Sequence, residues 1–591
     1  MTGDLGLPNA GVVPEPGAAE KTAEAGFCVV GGNPAAEFTL KLHRGEGMTL
    51  IAMNWRQGTP PPNFVGFAIE YQEPGDTTFW ALTNRLTFPG VDPKTDPDAR
   101  STLHSPIQKF RWIHFPWKAD LPGDYVYRVT PRFMDDQDHL SSGEPQEASI
   151  QLRRETYPGE LNVGFTRGFV SSQAFVDHYE AFGPISTLLP ANAADGLKFK
   201  PTHPKTEEAL AWMGFEARRN ILDLLDEAIA DRDAQVRLVA YDLNEPNVVS
   251  KLQALGSRAM VIIDDSDDHG KNGSAENQAA DALIQSHCQV KRQHMGSLQH
   301  NKVIVVNGPL VKKAVCGSTN FSWRGFYVQS NNAVVVDGAS AIQPFLDAFD
   351  DYWQNGTPAT FGPTEPAAQY CPLGLLGVDA GATFSPHIAA DAQLGHVIDD
   401  VVNHTTSSMF YSLAFLYQTP AMEKAIDTLS ARDDIFVYGM SDRRAGGIHL
   451  HLPNGNVPPV YPSQLEENVP EPFKAEPTGG GGIRLHDKYM VLDFDKPTAR
   501  VYLGSYNFST ASDLENGENL VLIRDRRVAT AYMIDALRTF DHYEFRVWQN
   551  DPKKQVKTPL QLHRPPKPGE KAWWEAVWSD PIKIRDRLLF A

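Results

Sequence analysis

Two His-x-Lys triplets, His300-Asn301-Lys302 and His486-Asp487-Lys488, stand 186 residues apart, and the same polar pattern follows each. The first leads to Gly317-Ser318-Thr319-Asn320 and Asn331-Asn332, the second to Gly504-Ser505-Tyr506-Asn507 and Glu518-Asn519. His300 precedes Ser318 by 18 residues and His486 precedes Ser505 by 19; Asn320 to Asn331 and Asn507 to Glu518 are both 11 apart. Matched order and spacing point to an internal duplication that brings two imidazoles, two ammonium groups and two amides to one cleft. That inventory suits displacement at phosphorus. A phosphodiester carries negative charge that grows in the five-coordinate transition state, and two Lys with two Asn amides form a fixed clamp for it. One imidazole can attack phosphorus and become a phosphohistidine. The other can protonate the departing alcohol and then deprotonate water. This chemistry requires no metal and no cofactor.

Both side chains of a His-x-Lys triplet point to one face when the triplet opens a strand, and Lys302 to Val306 is β-branched as a buried strand should be. The same holds for His486 and Lys488. Ser318, Asn320, Ser505 and Asn507 follow a strand at a Gly turn and are expected to add hydrogen bonds. Upstream of the first triplet the patterns alternate: helix Ala217 to Ala230, strand Val236 to Tyr241, helix Asn247 to Leu255, strand Ala259 to Ile263. The order recurs with helix Leu394 to His404, strand Ser408 to Leu416, helix Met422 to Leu429 and strand Ile435 to Met440. Such β-α-β order implies a largely parallel sheet in each half. Only the second half carries an insert, Ser441 to Ile483, ending in Gly479-Gly480-Gly481-Gly482. Its entry into His486 makes it either a wall or lid of the site or a surface loop.

The motifs His486-x-Lys488-x4-Asp493 and Gly504-Ser505-x-Asn507, with Glu518-Asn519, resemble the paired signature of the phospholipase D superfamily over about residues 160 to 550. The resemblance implies an α/β fold of two halves facing across a pseudo-twofold axis. It also implies phosphodiester hydrolysis, or transfer to an alcohol, through phosphohistidine. Carried over by position, His300, Lys302 and Asn320 serve the first half, and His486, Lys488 and Asn507 the second. Ser318, Ser505, Asp493, Glu518, Asn307 and Asn331 support them. Asn307 stands where the second half has Asp493, which in the family is mostly a structural buttress. Asn331 stands where the second half has Glu518. A carboxylate raises the pKa of its imidazole and suits a proton donor, whereas a neutral amide leaves the ring uncharged and nucleophilic. If each buttress serves its own half, His300 is the nucleophile and His486 the acid, as in the family's usual assignment to the first motif; pairing across halves reverses the argument.

The remaining chain frames this site. At 591 residues it should form two or three domains, and 41% hydrophobic with 21% charged residues is ordinary globular composition. Net charge is −19 and the pI near 5.4. An acidic surface repels nucleic acid, so phospholipid or another small diester is the expected substrate, with peripheral membrane contact compatible. A metal-independent nuclease of the same superfamily, or a phosphate-binding scaffold without turnover, is the runner-up. Four cysteines, none in a C-x-x-C pair, make no disulfide framework. No secretory signal and no apolar run of about 18 to 20 residues is visible, so a cytoplasmic location is the default and an unmarked export route stays open.

Residues 1–36 read as a loose leader. Residues 37–154 read as an immunoglobulin- or fibronectin-like β-sandwich. The two halves span 155–365 and 366–550, and 551–591 form a tail. Trp573, Trp574 and Trp578 in that tail are expected to dock on the catalytic domain rather than enter a lipid interface. Asp265-x-Asp267-x-His269-Gly270, with Glu276, approaches a calcium-loop pattern. It has His where oxygen is wanted, and reads as a solvated acidic loop. His294, His396 and His404 lack partners at ligand spacing.

Overall fold

The computed structural model describes residues 26–92, 95–152, 155–168, 172–444, 447–460, 485–549 and 560–591. They divide into two compact units, 1–152 with 561–591, and 153–560.

The first unit contains strands β1 (Cys28–Val30), β2 (Phe38–Gly45), β3 (Met48–Trp55), β4 (Phe64–Gln72), β5 (Trp80–Ala81), β6 (Arg111–His114), β7 (Asp124–Met134), β8 (Leu140–Ser142) and β9 (Gln146–Gln151). One sheet runs β1-β2-β3-β6; the other runs β5-β4-β7-β8, with β9 also on β7. In β7, Tyr125, Tyr127 and Val129 are buried while Val126, Arg128 and Thr130 are half-buried, the period-two pattern expected of a sandwich strand. The leader reading ends too late, because β1 already pairs with β2; residues 1–25 lie outside the described residues.

The tail reading is corrected. Residues 561–591 belong to the sandwich unit, where Trp573 stacks on Phe110 (centroids 5.5 Å apart) and donates its indole N–H to the Phe64 carbonyl at 3.0 Å. Trp574 is buried in the same core with Phe38, Phe67 and Tyr127. The sandwich offers these rings an aromatic surface already made by Phe64 and Phe110. Burying each large ring contributes about 1.5–3 kcal/mol.

The second unit holds two sheets. Strands β10 (Leu161–Phe165), β11 (Gln235–Ala240), β12 (Ala259–Ile263), β13 (Gln289–Arg292), β14 (Lys302–Asn307), β15 (Lys312–Gly317) and β16 (Asn332–Asp337) run in the order β10-β16-β15-β14-β11-β12-β13. The other sheet contains β17 (Cys371–Pro372), β18 (Asp379–Ser385), β19 (Ser408–Leu413), β20 (Phe436–Asp442), β21 (Ile448–His451), β22 (Pro459–Val460), β23 (Lys488–Leu492), β24 (Arg500–Gly504) and β25 (Glu518–Arg524). Its order is β17-β18-β25-β24-β23-β19-β20-β21-β22. Without β13 in the first sheet and β17, β21 and β22 in the second, the two paths match strand for strand, as a duplication requires.

The sheets are mixed rather than largely parallel. Among the described strands only β11 with β12, β12 with β13, and β19 with β20 run parallel. The helices Pro246–Leu255 and Pro420–Ser430 provide crossovers at β11–β12 and β19–β20. From β14 to β15 the chain turns within a few residues, which permits only antiparallel pairing. The helix expected over 217–230 begins earlier, at Thr206, and carries a break at Phe215 (φ 42°). The start of the insert forms β21 and β22 and widens the second sheet; residues 461–484, with the glycine run, lie outside the described residues. No helix among the described residues is long and apolar enough to cross a membrane.

Candidate active site

The two halves touch along their motif segments. Gln299 pairs with Gly517 and Ser330 with Leu485 in parallel bridges, so the residue ahead of each histidine reaches the opposite half. Asn519 donates its amide to Asn301 Oδ1 at 2.9 Å, and Asn332 does so to Asp487 Oδ1 at 3.2 Å. These pairs tie the central residue of each His-x-Lys to the other half's β25 or β16. The result is a single centre: the His300 and His486 rings lie 6.5 Å apart, centroid to centroid.

Each motif glycine is required by its neighbour. Gly317 (φ 142°) and Gly504 (φ 134°) lie so close to the next strand that a Cβ would collide with the carbonyl oxygen of Asn332 or Asn519. That approach lets Ser318 Oγ accept from the Asn332 N–H at 3.0 Å, and Ser505 Oγ from the Asn519 N–H at 3.0 Å. The serine hydroxyls therefore bond to backbone and Asn side chains of the adjacent strand. Asn320 and Asn507 differ: their Oδ1 atoms are buried without a hydrogen-bond partner among the described residues. Asp493 is a buttress, accepting the Thr406 and Ser407 N–H groups at 2.9 and 2.7 Å. Asn307 accepts from the Lys312 ammonium at 3.1 Å. Both sit at the far end of the strand that the site lysine opens.

Lys302 and Lys488 are buried, and each donates to the carbonyl oxygen of its own histidine, for Lys488 at 2.7 Å. Burial pulls both ammonium groups below their ordinary pKa, Lys488 to about 7. Burial, reinforced by these two cations, also drives both imidazoles well below theirs. An entering anion reverses that pressure, because opposite charge favours the protonated forms.

The buttresses cross. His300 Nδ1 faces Glu518 Oε2 at 3.3 Å, whereas His486 Nδ1 donates to Asn331 Oδ1 at 2.8 Å and to the Ser318 carbonyl at 3.0 Å. The premise that each buttress serves its own half is thus wrong; interlocking of the halves places each β16 or β25 start behind the opposite histidine. Glu518 is fully buried, held by Asn516 Nδ2 at 2.9 Å, and burial pushes its carboxyl up to about 7.

Sequence reading missed three neighbours. Tyr241 packs edge-on to His300 (4.8 Å between centroids) with the Lys302 ammonium 4.9 Å from its ring centre. Asp535 and Arg538 lie on the helix Arg526–Gln549, next to Asp487. Only the mismatch of Asp487 with Asn301 in the repeat could have flagged that cluster. Burial, followed by the charge of Asp535, raises the Asp487 carboxyl to about 7. The folded form then keeps a proton the unfolded chain has released, so stability falls as pH rises from about 4 toward about 7. Asp487→Asn, which copies the first half, should remove that decline. Above pH 7 it should raise the melting temperature by a few degrees, about 1 kcal/mol. Melting curves at pH 5 and pH 8 check both.

The family profile described as "Cardiolipin synthase, PLD-like domain" matches residues 208–353. Proteins named phospholipase D from Rickettsia prowazekii and Rickettsia felis are each 40% identical over 48 residues, 8% of this chain and 22% of theirs. The chain thus spans about a fifth of the curated relatives it matches. Among solved structures, polyphosphate kinase from Porphyromonas gingivalis aligns at TM-score 0.36 and 12% identity, over 62% of this chain and 51% of that one. Nuc from Salmonella typhimurium, titled a phospholipase D family member, aligns at TM-score 0.21 and 27% identity, over 24% of this chain and 88% of that one.

Proposed function

We propose that this chain, which belongs to the phospholipase D superfamily, cleaves a phosphodiester through a phosphohistidine and passes the phosphoryl group to water or an alcohol. The observation that carries this reading is the pair of buried imidazoles, 6.5 Å apart and each beside a buried lysine. A phosphorus atom between them can lie within about 3–3.5 Å of an attacking nitrogen. The leaving oxygen then falls within about 2.6–3.2 Å of the opposite ring.

His300 Nε2 bonds to phosphorus as the P–O bond to the alcohol breaks, and His486 gives its proton to that oxygen. Water or a second alcohol then loses a proton to His486 and attacks phosphorus, and the N–P bond breaks. Lys302, Lys488, Asn320 and Asn507 hold the non-bridging oxygens throughout. The crossed buttresses bear on the choice of nucleophile in two ways. By proton affinity alone, Glu518 would make His300 the proton carrier. The same carboxylate also offsets the positive charge that appears on the ring when Nε2 is phosphorylated and Nδ1 keeps its hydrogen, and that charge is not removed by deprotonating Nε2. The second effect persists for the life of the intermediate, so we assign His300 as nucleophile.

The net charge of −19 favours phospholipid or a small diester over nucleic acid. The cardiolipin synthase description of the matching family brings transfer to an alcohol into the same reading. The test incubates the protein in EDTA with phosphatidylcholine or phosphatidylethanolamine vesicles, or single-stranded DNA, with and without a primary alcohol. Head-group release, lost in His300→Ala and His486→Ala, is expected. DNA cleavage alone would make it a nuclease, and phosphate binding without turnover a scaffold.

A further inference from the structure

We propose that Asp242, His269 and Glu276 form a site for a divalent transition-metal cation of the Mn2+ or Zn2+ class, beside the histidine pair and separate from it. The proposal does not depend on the phosphodiesterase reading.

Three elements supply the residues. Asp242 lies just beyond β11, His269 in the loop after β12, and Glu276 in the first turn of the helix Ala275–Gln285, which Ser274 caps. One ligand atom from each lies within 4.8 Å of the others, and Asp242 Oδ1 is 3.2 Å from His269 Nε2. Metal–ligand bonds of about 2.0–2.2 Å need only a modest closing of that triangle.

Two further observations point to a cation. His269 is oriented as a metal-bound histidine is: its Nδ1 donates to the fully buried Asp264 carboxylate at 2.9 Å, which presents Nε2 to Asp242 and Glu276. Asp264 is itself fixed by the N–H groups of Gln299 (2.6 Å) and Ser266 (3.0 Å). Glu276 is only 4% exposed, yet among the described residues another residue gives its carboxylate a single long hydrogen bond, from the Leu243 N–H at 3.4 Å. A buried carboxylate with so little hydrogen bonding from other residues, facing a second carboxylate and an oriented imidazole, is placed to bind a cation. Two carboxylates with one imidazole suit Mn2+ or Zn2+, whereas Ca2+ and Mg2+ prefer oxygen alone.

The sequence reads this segment as a solvated acidic loop, yet two of its residues, His269 and Glu276, are ligands of the proposed site. Asp265 pairs instead with His294 at 2.7 Å, and Asp242 comes from a different strand. Among the described residues the second half has no counterpart. Asp242 lies two residues past Ala240, the partner of Lys302, and two past Leu413, the partner of Lys488, stands Phe415. Tyr241 separates the ion site from the catalytic ring, 4.5 Å from His269 and 4.8 Å from His300 between centroids.

Calorimetric titration of the chelator-stripped full chain with MnCl2 or ZnCl2, and with MgCl2 as comparator, tests the site. One equivalent of Mn2+ or Zn2+ is expected in the natural protein and in a His300→Ala, His486→Ala double variant. Affinity should fall at least tenfold in Asp242→Asn and in Glu276→Gln, with circular dichroism and melting in EDTA unchanged in at least one of them. Absence of saturable binding, or binding that neither substitution weakens, would overturn the proposal. So would loss of binding in the double histidine variant, which would put the ion on the catalytic rings.

Discussion

His300→Ala should leave no measurable turnover and no phosphoenzyme, whereas His486→Ala should accumulate phosphoenzyme on a diester with a good leaving group. With such a substrate, for example a p-nitrophenyl phosphodiester, the departing oxygen needs no proton, so the first step survives loss of the acid. The second step still needs a base for water, and its loss should slow release by about 10²–10⁴. The crossed pairing makes the experiment decisive: His300 has the buried carboxylate at 3.3 Å, His486 only neutral acceptors. Acid-labile phosphate on the quenched protein, located by peptide mass, is the readout. Label trapped on His486 in the His300→Ala protein would reverse the assignment.

Glu518→Gln is the second large effect. The amide can still meet Asn516, which donates to Oε1 at 2.9 Å in the natural protein, but it cannot carry charge. Losing a preorganised charge aimed at the developing imidazolium should lower kcat by about 10²–10³. The pH profile gives a sharper signature. Burial raises the Glu518 carboxyl to about 7, so it is protonated and of no help below that pH and charged above it. The rate of the natural protein should therefore rise with pH through about 7, and that limb should vanish in Glu518→Gln. A limb that persists unchanged would remove Glu518 from the reaction. Stability moves the other way, because a carboxyl with a raised pKa destabilises the fold as pH climbs past its ordinary value. The variant should melt no lower than the natural protein at pH 8.

The two triplets and their downstream glycines carried most of this site in the sequence because repetition converts a weak local pattern into a strong one. His300, Lys302, His486 and Lys488 needed only strand alternation to be placed on one face, and Asn320 and Asn507 followed by spacing. What could not be read was anything set by contact between elements distant in the chain. The crossing of Glu518 and Asn331 arises between the halves, whereas the Asp487–Asp535 cluster and the meeting of Asp242 with His269 arise within one half. Strand direction failed for a related reason: helix and strand alternation locates β11, β12, β19 and β20, but the short β14–β15 link decides the rest. The tail tryptophans failed because sequence shows that a ring wants cover without showing which surface is open.

The interlocked buttresses carry a consequence for ancestry. Neither half contains a complete reacting unit, since each histidine borrows its orienting group from the other. A lone ancestral copy could have worked only by meeting its twin about a twofold axis. Fusing two copies into one polypeptide released them from identity. Glu518 against Asn331, and Asp487 against Asn301, are the marks of that freedom, and on the proposed assignment they let one histidine act as nucleophile and the other as acid.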